Sequence, residues 1–363
     1  MRKRLIILAF LLVIVFGCTD RLVYDNETKF VAEIPTLEPP HAIFTEEDSL
    51  IVAIHSETAD AVIRYTVDGS KPTDSSPVYN EPFAINRTKI VRAIATKAGL
   101  NNSKVAVGKY IKSNTAMVFV EGGVFNLTDH YEVKISSFFM GIYEVTQAEF
   151  LAVMGHNPSN FRGNPDNPVE MVSWFDAIEY CNRLSIAESL EPCYSLGNYG
   201  KNPDNWLWSW NSDPFYHILI NCDWNADGYR LPTLAEWNFA FSGGIPAQLD
   251  STFNTPFSGS ENIDDVGWYF GNSQGSTQPV GRKAPNELGI YDMTGNVWEW
   301  IWDRNGNPPK GSYTDPRGPK TGDFRIFFGG GWSNSAQHIR DYFYAGLPVE
   351  KDKALGFRIC RKL

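Results

Sequence analysis

The sequence predicts an α+β chain: a small all-β sandwich followed by a larger mixed part. Three observations carry this. First, residues 50–111 hold four short β-type runs with turn signals between them. Second, three S/T-x-x-D/E boxes, at Thr146, Ser173 and Thr233, open helical patterns further along. Third, all eleven tryptophans lie between Trp174 and Trp332, so the two parts are built differently. At 363 residues and 43% apolar content, the chain is long enough for two cored domains.

The order begins with a cationic Met1-Arg2-Lys3-Arg4 and the apolar run Leu5–Gly17. Thirteen helical residues span roughly 20 Å, short of the ~30 Å hydrocarbon layer, which favours a secretory signal over a spanning helix. Val15-Phe16-Gly17-Cys18 resembles a bacterial lipobox. That resemblance implies cleavage after residue 17, lipidation of Cys18 and a membrane partner through its acyl chains. An ordinary signal peptide is the alternative. Thr19 and Asp20, by resemblance to enteric sorting rules, favour the outer membrane. Residues 18–38 read as a polar tether.

Residues 39–112 form the sandwich: Leu50–His55, Val62–Val67, Ile90–Thr96 and Val105–Ile111 are its strands. Several alternate, as a sheet with one dry face requires. The stretch YTVDGSKPTDSSPVYNEPFAI followed by VRAIATKAG resembles the chitobiase C-terminal, immunoglobulin-like module. A spacer or a sugar-binding role is what that resemblance implies.

Beyond residue 115, each capping box lets a hydroxyl accept from the N3 amide while the carboxylate returns to the cap amide. Val145 and Phe150 suit a hydrophobic staple, and Trp174, Ala177, Ile178, Cys181 and Leu184 share one helix face. Gly243-Gly244 closes the third helix.

Composition excludes some chemistry. A net charge of −10 argues against nucleic acid as a partner. Cys181, Cys193, Cys222 and Cys360 could pair in three ways, and Cys193–Cys222 is the favoured pair because it brackets an aromatic-rich excursion. No CxxC occurs and the six histidines are scattered, so zinc has no support. Asp223–Gly228 opens like an EF-hand loop, but Leu234 stands where its twelfth-position Glu should, and a plain turn is expected. Trp206, Trp208 and Trp210 alternate, either packed under a loop or as an aromatic platform.

The ordered segments MVFVEGGVF, SSFFMGIYEVTQAEF, NPVEMVSWFDAIEYCNRLS, GYRLPTLAEWNFAFSGG, PVGRKAPNELGIYDMTGNVWEW, FGGGW and LGFRICR resemble the formylglycine-generating enzyme, or sulfatase-modifying factor, family across residues 115–363. The resemblance implies that family's variant of the C-type lectin fold. It also implies a structural calcium site from the side chains of Asp292 and Glu299 and the carbonyls of Gly295 and Val297. Catalytic members oxidise a substrate cysteine with copper held by two cysteines. Those positions fall on Asn334 and Ile339, and no Cys or Met occurs from Gly329 to Glu350. Soft thiolates select Cu(I), so copper and catalysis are not expected, and no catalytic residue is assigned.

What remains is a recognition surface for a protein or glycan: Trp332, Ser333, Asn334, Ser335, Gln337, His338, Arg340 and Tyr342, a mixture of adaptable hydrogen bonding and aromatic contact. Variable proteins of diversity-generating retroelements resemble this arrangement, related lipoproteins serve as structural parts of envelope or secretion machines, and the resemblance also leaves an oxidase or sulfatase-activating enzyme of the family. These readings stand as alternatives.

Overall fold

The computed structural model describes residues 23–24, 30–44, 49–86, 89–112, 115–128, 131–206, 212–213, 217, 219–306, 311–341 and 343–362. The signal segment, Cys18, Trp208, Trp210 and Tyr342 lie outside these residues, as does the side chain of Arg340. The chain divides into two compact units, Met1–Lys112 and Ser113–Leu363.

In the first unit a three-stranded sheet (Thr36–Glu38, Leu50–His55, Phe83–Ile85) faces a four-stranded one (Ala42–Phe44, Ala106–Lys112, Lys89–Thr96, Val62–Thr66). Val52, Ile54, Ile85, Val91, Ala93 and Tyr110 fill the space between them. The alternation read in the sequence is what puts these side chains on the dry face. The supposed tether is partly built in: Thr36–Glu38 pairs with Ala53–His55, and Leu37 joins the core. Three residues are too few to show a period, so this strand was not readable as one.

The second unit interleaves small sheets with three main helices. Met117–Val120, Phe138–Gly141, Cys360–Lys362 and Tyr229–Arg230 form one antiparallel sheet, so the two ends of the unit meet. A second sheet runs Tyr344–Gly346, Arg325–Phe328, Trp298–Arg304, Leu355–Phe357. Between the layers lie Val120, Phe138, Met140, Trp237, Phe239 and Ile301.

The helices α1 (Gln147–Met154), α2 (Trp174–Ala187) and α3 (Leu234–Phe241) each start on the capping box read in the sequence. In α3, the Glu236 amide donates to Thr233 Oγ1 at 3.2 Å and the Thr233 amide donates to Glu236 Oε2 at 2.8 Å. One expectation needed widening. Helix α2 is buried on nearly every side, Phe175, Tyr180 and Asn182 as well as the predicted face. Likewise Trp298–Ile301 is buried on both faces, because it is a central strand with Trp237 on one side and Val172 on the other.

The expected Cys193–Cys222 disulfide is absent: Cys181, Cys193, Cys222 and Cys360 are all free thiols. Strand register sets Cys222 opposite Tyr194, and the Cys193 thiol donates to the Gly228 carbonyl at 3.3 Å. Burial pushes the Cys193 thiol up to about 11. The Asp223 segment is a turn, with the Asn225 amide donating to Asp223 Oδ1, and Trp206 is buried at the end of a 3-10 turn rather than on a strand.

Candidate functional site

The site is built on the segment that follows strand Arg325–Phe328. Gly329 and Gly330 have φ of +96° and +81°, the left-handed region that favours glycine. A Cβ on Gly330 would lie 2.4 Å from Ile339 Cγ1. The glycines therefore allow the chain to fold back tightly over its own following helix.

Trp332 is the next anchor. It is buried, its indole N–H donates to the Lys353 carbonyl at 3.0 Å, and Phe161 packs edge-on at 5.2 Å. It holds the loop and presents little surface. Asn334 is committed too: its Oδ1 accepts the Trp298 indole N–H and the Gly331 amide, both at 2.9 Å. Its carbonyl accepts from the Phe270 amide, which brings a second loop alongside. Ile339 is buried with Phe257, Ile263 and Val266. Asn334 and Ile339, onto which the sequence resemblance maps the copper thiolates, are thus a structural amide and an apolar core residue.

The outward part is different. Ser333, Ser335 and Gln337 are exposed. His338 stacks on Tyr344, and Tyr344 on Phe327, with ring centroids 5.4 and 6.0 Å apart; Trp298 packs edge-on against Tyr344 at 5.2 Å. Phe270, Phe343 and Tyr344 expose 74%, 50% and 44% of their surface, but Phe343 stacks on Phe328, on the other face of the sheet from Tyr344 and Phe327. Phe270 was not picked out in the sequence. Its signal is an aromatic in a Gly-Asn-Ser loop, but only the amide contact to Asn334 attaches it to this face.

The calcium motif is a tight loop. Asp292, Gly295 and Asn296 have φ of 57°, 86° and 59°. Asp292 Oδ2 accepts the Gly281 amide at 2.7 Å, while the buried Oδ1 has no partner. Glu299 is held by Arg358 at 2.8 Å and by the Trp237 indole at 2.7 Å. Glu144, unnoticed in the sequence, accepts from the Val297 amide and the Asn296 side chain. Burial, with Asp292 and Glu299 nearby, pushes Glu144 well above the usual carboxylate range; burial raises Asp292 to about 6.

These carboxylates share the Arg358 guanidinium as counter-charge. A divalent cation beside Asp292 Oδ1 would offset the excess, so that unpartnered oxygen is compatible with a calcium donor. At Glu299 the fit is partial, since both oxygens already carry hydrogen bonds. Among the described residues no cluster of three or more His, Cys, Asp or Glu side chains is arranged to hold a metal ion.

Comparison with known proteins agrees with this architecture. Residues 103–363 match the family described as Sulfatase-modifying factor enzyme 1-like domain, and residues 43–107 match the Chitobiase/beta-hexosaminidase C-terminal domain. The chain belongs to the sulfatase-modifying factor family. Its larger unit has the formylglycine-generating-enzyme variant of the C-type lectin fold, preceded by the immunoglobulin-like sandwich.

Within this sulfatase-modifying factor family, it is 40% identical to the chaperone protein LppX of Paenibacillus barcinonensis over 67% of this chain and 86% of that protein. It is 33% identical to the formylglycine-generating enzyme of Thermomonospora curvata, but over 39% of this chain and 54% of the enzyme; it spans only about half of that relative. Among solved structures, Treponema denticola variable protein 1 superposes with a TM-score of 0.60 and 33% identity, covering 68% of this chain and 95% of that one.

Proposed function

We propose that this chain is a cell-envelope lipoprotein whose sulfatase-modifying-factor domain binds a ligand, a protein before a glycan, without oxidative catalysis. The observation that carries this is the fate of the two copper positions. Asn334 is tied to Trp298 and Ile339 is buried in an apolar cluster. Neither supplies a thiolate, and Cu(I) chemistry needs soft ligands. The remaining face, with Ser333, Ser335, Gln337 and Tyr344 and the Phe270 loop alongside, suits protein recognition, where rigid aromatics give contact area and small polar groups adapt.

Anchoring through Cys18 after a leader at residues 1–17, and an outer-membrane location, complete the reading. LppX, which carries the name of a chaperone, supports a protein ligand. Among the described residues no helix is long and apolar enough to cross a membrane. Calcium at Asp292, with the Gly295 and Val297 carbonyls and Glu299, is proposed as a structural ion.

The test has two arms. The chain is supplied with Cu(I), oxygen and cysteine-bearing peptides; cysteine-dependent turnover to an aldehyde would overturn the reading. Display libraries of folded domains are then selected on it, and binders should lose affinity when Phe270 and Gln337 become alanine.

A second reading is favoured by the likeness to the Treponema variable protein: the C-terminal segment is diversified. An imperfect copy of codons 325–358 near the gene, differing at adenines, would establish it, and its absence would remove it.

A further inference from the structure

Away from the glycine-rich loop, a cavity of about 460 Å³ opens beside the N-terminus of α3. We propose that it binds a small amphipathic carboxylate, an apolar or aromatic body with one anionic head. This site is independent of the face proposed above.

The floor comes from three elements: Leu127 and Val133 of the hairpin strands Val124–Thr128 and Tyr131–Lys134, Leu234 and Ala235 of α3, and Ile326 of the central sheet. Their side chains belong to, or pack against, the main core, so the floor is rigid and apolar. Cavities of this size with mostly apolar walls and few polar groups are typical of small-molecule sites.

The mouth decides the sign of the ligand. Arg304, Arg317 and Lys320 line it, and Asp303 is the one acid in the lining. Asp303 is withdrawn: its Oδ2 accepts the Leu234 amide at 2.9 Å, and a Cβ on Gly318 would lie 2.6 Å from its Oδ1. Burial also raises its carboxyl to about 7, which lowers its average charge at neutral pH. Arg304 is held in the wall by the Gly322 carbonyl at 2.6 Å, while Arg317 lies over the Trp224 ring at 4.6 Å. Arg317 and Lys320 are exposed, so they can reach an anion at the opening. A cationic or neutral ligand would forgo this field; an anion gains from it.

The probe is 4-phenylbutyrate, titrated calorimetrically into the full chain held in nanodiscs, beside 4-phenylbutanol and 4-phenylbutylamine. The carboxylate should bind one-to-one and at least about fivefold tighter than the alcohol, with the amine weakest. Arg317→Glu with Lys320→Glu, both on the surface, should keep the circular dichroism unchanged and weaken the carboxylate about tenfold. Leu127→Trp should fill the floor and remove binding. The proposal is overturned if the amine or alcohol binds as tightly, if charge reversal leaves affinity unchanged, or if no binding appears up to about 10 mM. None of these outcomes bears on the copper assay or the domain selections.

Discussion

Asn334 Oδ1 accepts the indole N–H of Trp298 at 2.9 Å, joining a loop position to a central strand 36 residues away in sequence. Trp298 is buried, so this is the partner its donor needs. Asn334→Ala leaves that N–H without an acceptor, and the Gly331 amide as well. The variant should unfold about 1–3 kcal/mol more easily in urea. An unchanged midpoint would mean that Asn334 is free for ligand rather than bound into the fold.

Ile339 and Gly330 form a second, purely steric relationship. Gly330→Ala places a methyl on a left-handed residue and against Ile339. A loss exceeding 1 kcal/mol is expected, from backbone and overpacking together. Ile339→Ala should cost about 2–4 kcal/mol through the cavity it leaves. Thermal denaturation monitored by tryptophan fluorescence reads both, and wild-type-like melting of either variant contradicts the packing.

Ser333, Ser335 and Gln337 are exposed, and alanine at Ser333 or Gln337 should shift stability by less than about 0.5 kcal/mol. Ser335, whose Oγ accepts the His338 amide at 3.3 Å, caps the following helix, and its loss should cost about 1 kcal/mol. The same substitutions should weaken a selected ligand. Affinity that survives all three replacements would place recognition elsewhere.

Calcium bound at Asp292 should stabilise the larger unit by mass action, raising its melting temperature with ion concentration. Chelator should reverse the shift, and Asp292→Ala should abolish it. Magnesium, which demands a tighter octahedral shell, should substitute poorly. A melting temperature indifferent to calcium in the wild type would reject the site.

Asp303 makes stability depend on pH. Its carboxyl sits at about 7 when folded, against an ordinary value of 3.8, because burial disfavours the charge. Between those values only the folded state holds the proton. Its contribution is therefore fully present below about pH 4, and is lost as pH rises through about 7. The change is on the order of 4 kcal/mol at most. Asp303→Asn keeps an acceptor for the Leu234 amide and should flatten this slope. An equal loss of unfolding free energy between pH 5 and pH 8 in the wild type and Asp303→Asn, read from urea titrations, would show that another group carries it.

Much of the architecture was readable because its signals are local. A capping box needs only four residues, and all three form as read, from Thr146, Ser173 and Thr233. The sandwich strands show alternation within six or seven residues. The tether strand Thr36–Glu38 was missed because three residues carry no period, and it is defined by its partner Ala53–His55. The Cys193–Cys222 expectation failed for the related reason that bracketing a loop says nothing of strand register.

By itself, then, the sequence determined the order of elements, the caps, the family motifs and the lack of thiols after Trp332, since each is a property of neighbours along the chain. Tertiary structure alone decided that Asn334 serves Trp298 and that Ile339 fills a core. It also brought the Phe270 amide to the Asn334 carbonyl, and set Arg358 against Glu299 across 59 residues. Burial and pairing arise when distant segments exclude water together, and no short stretch of sequence carries that information.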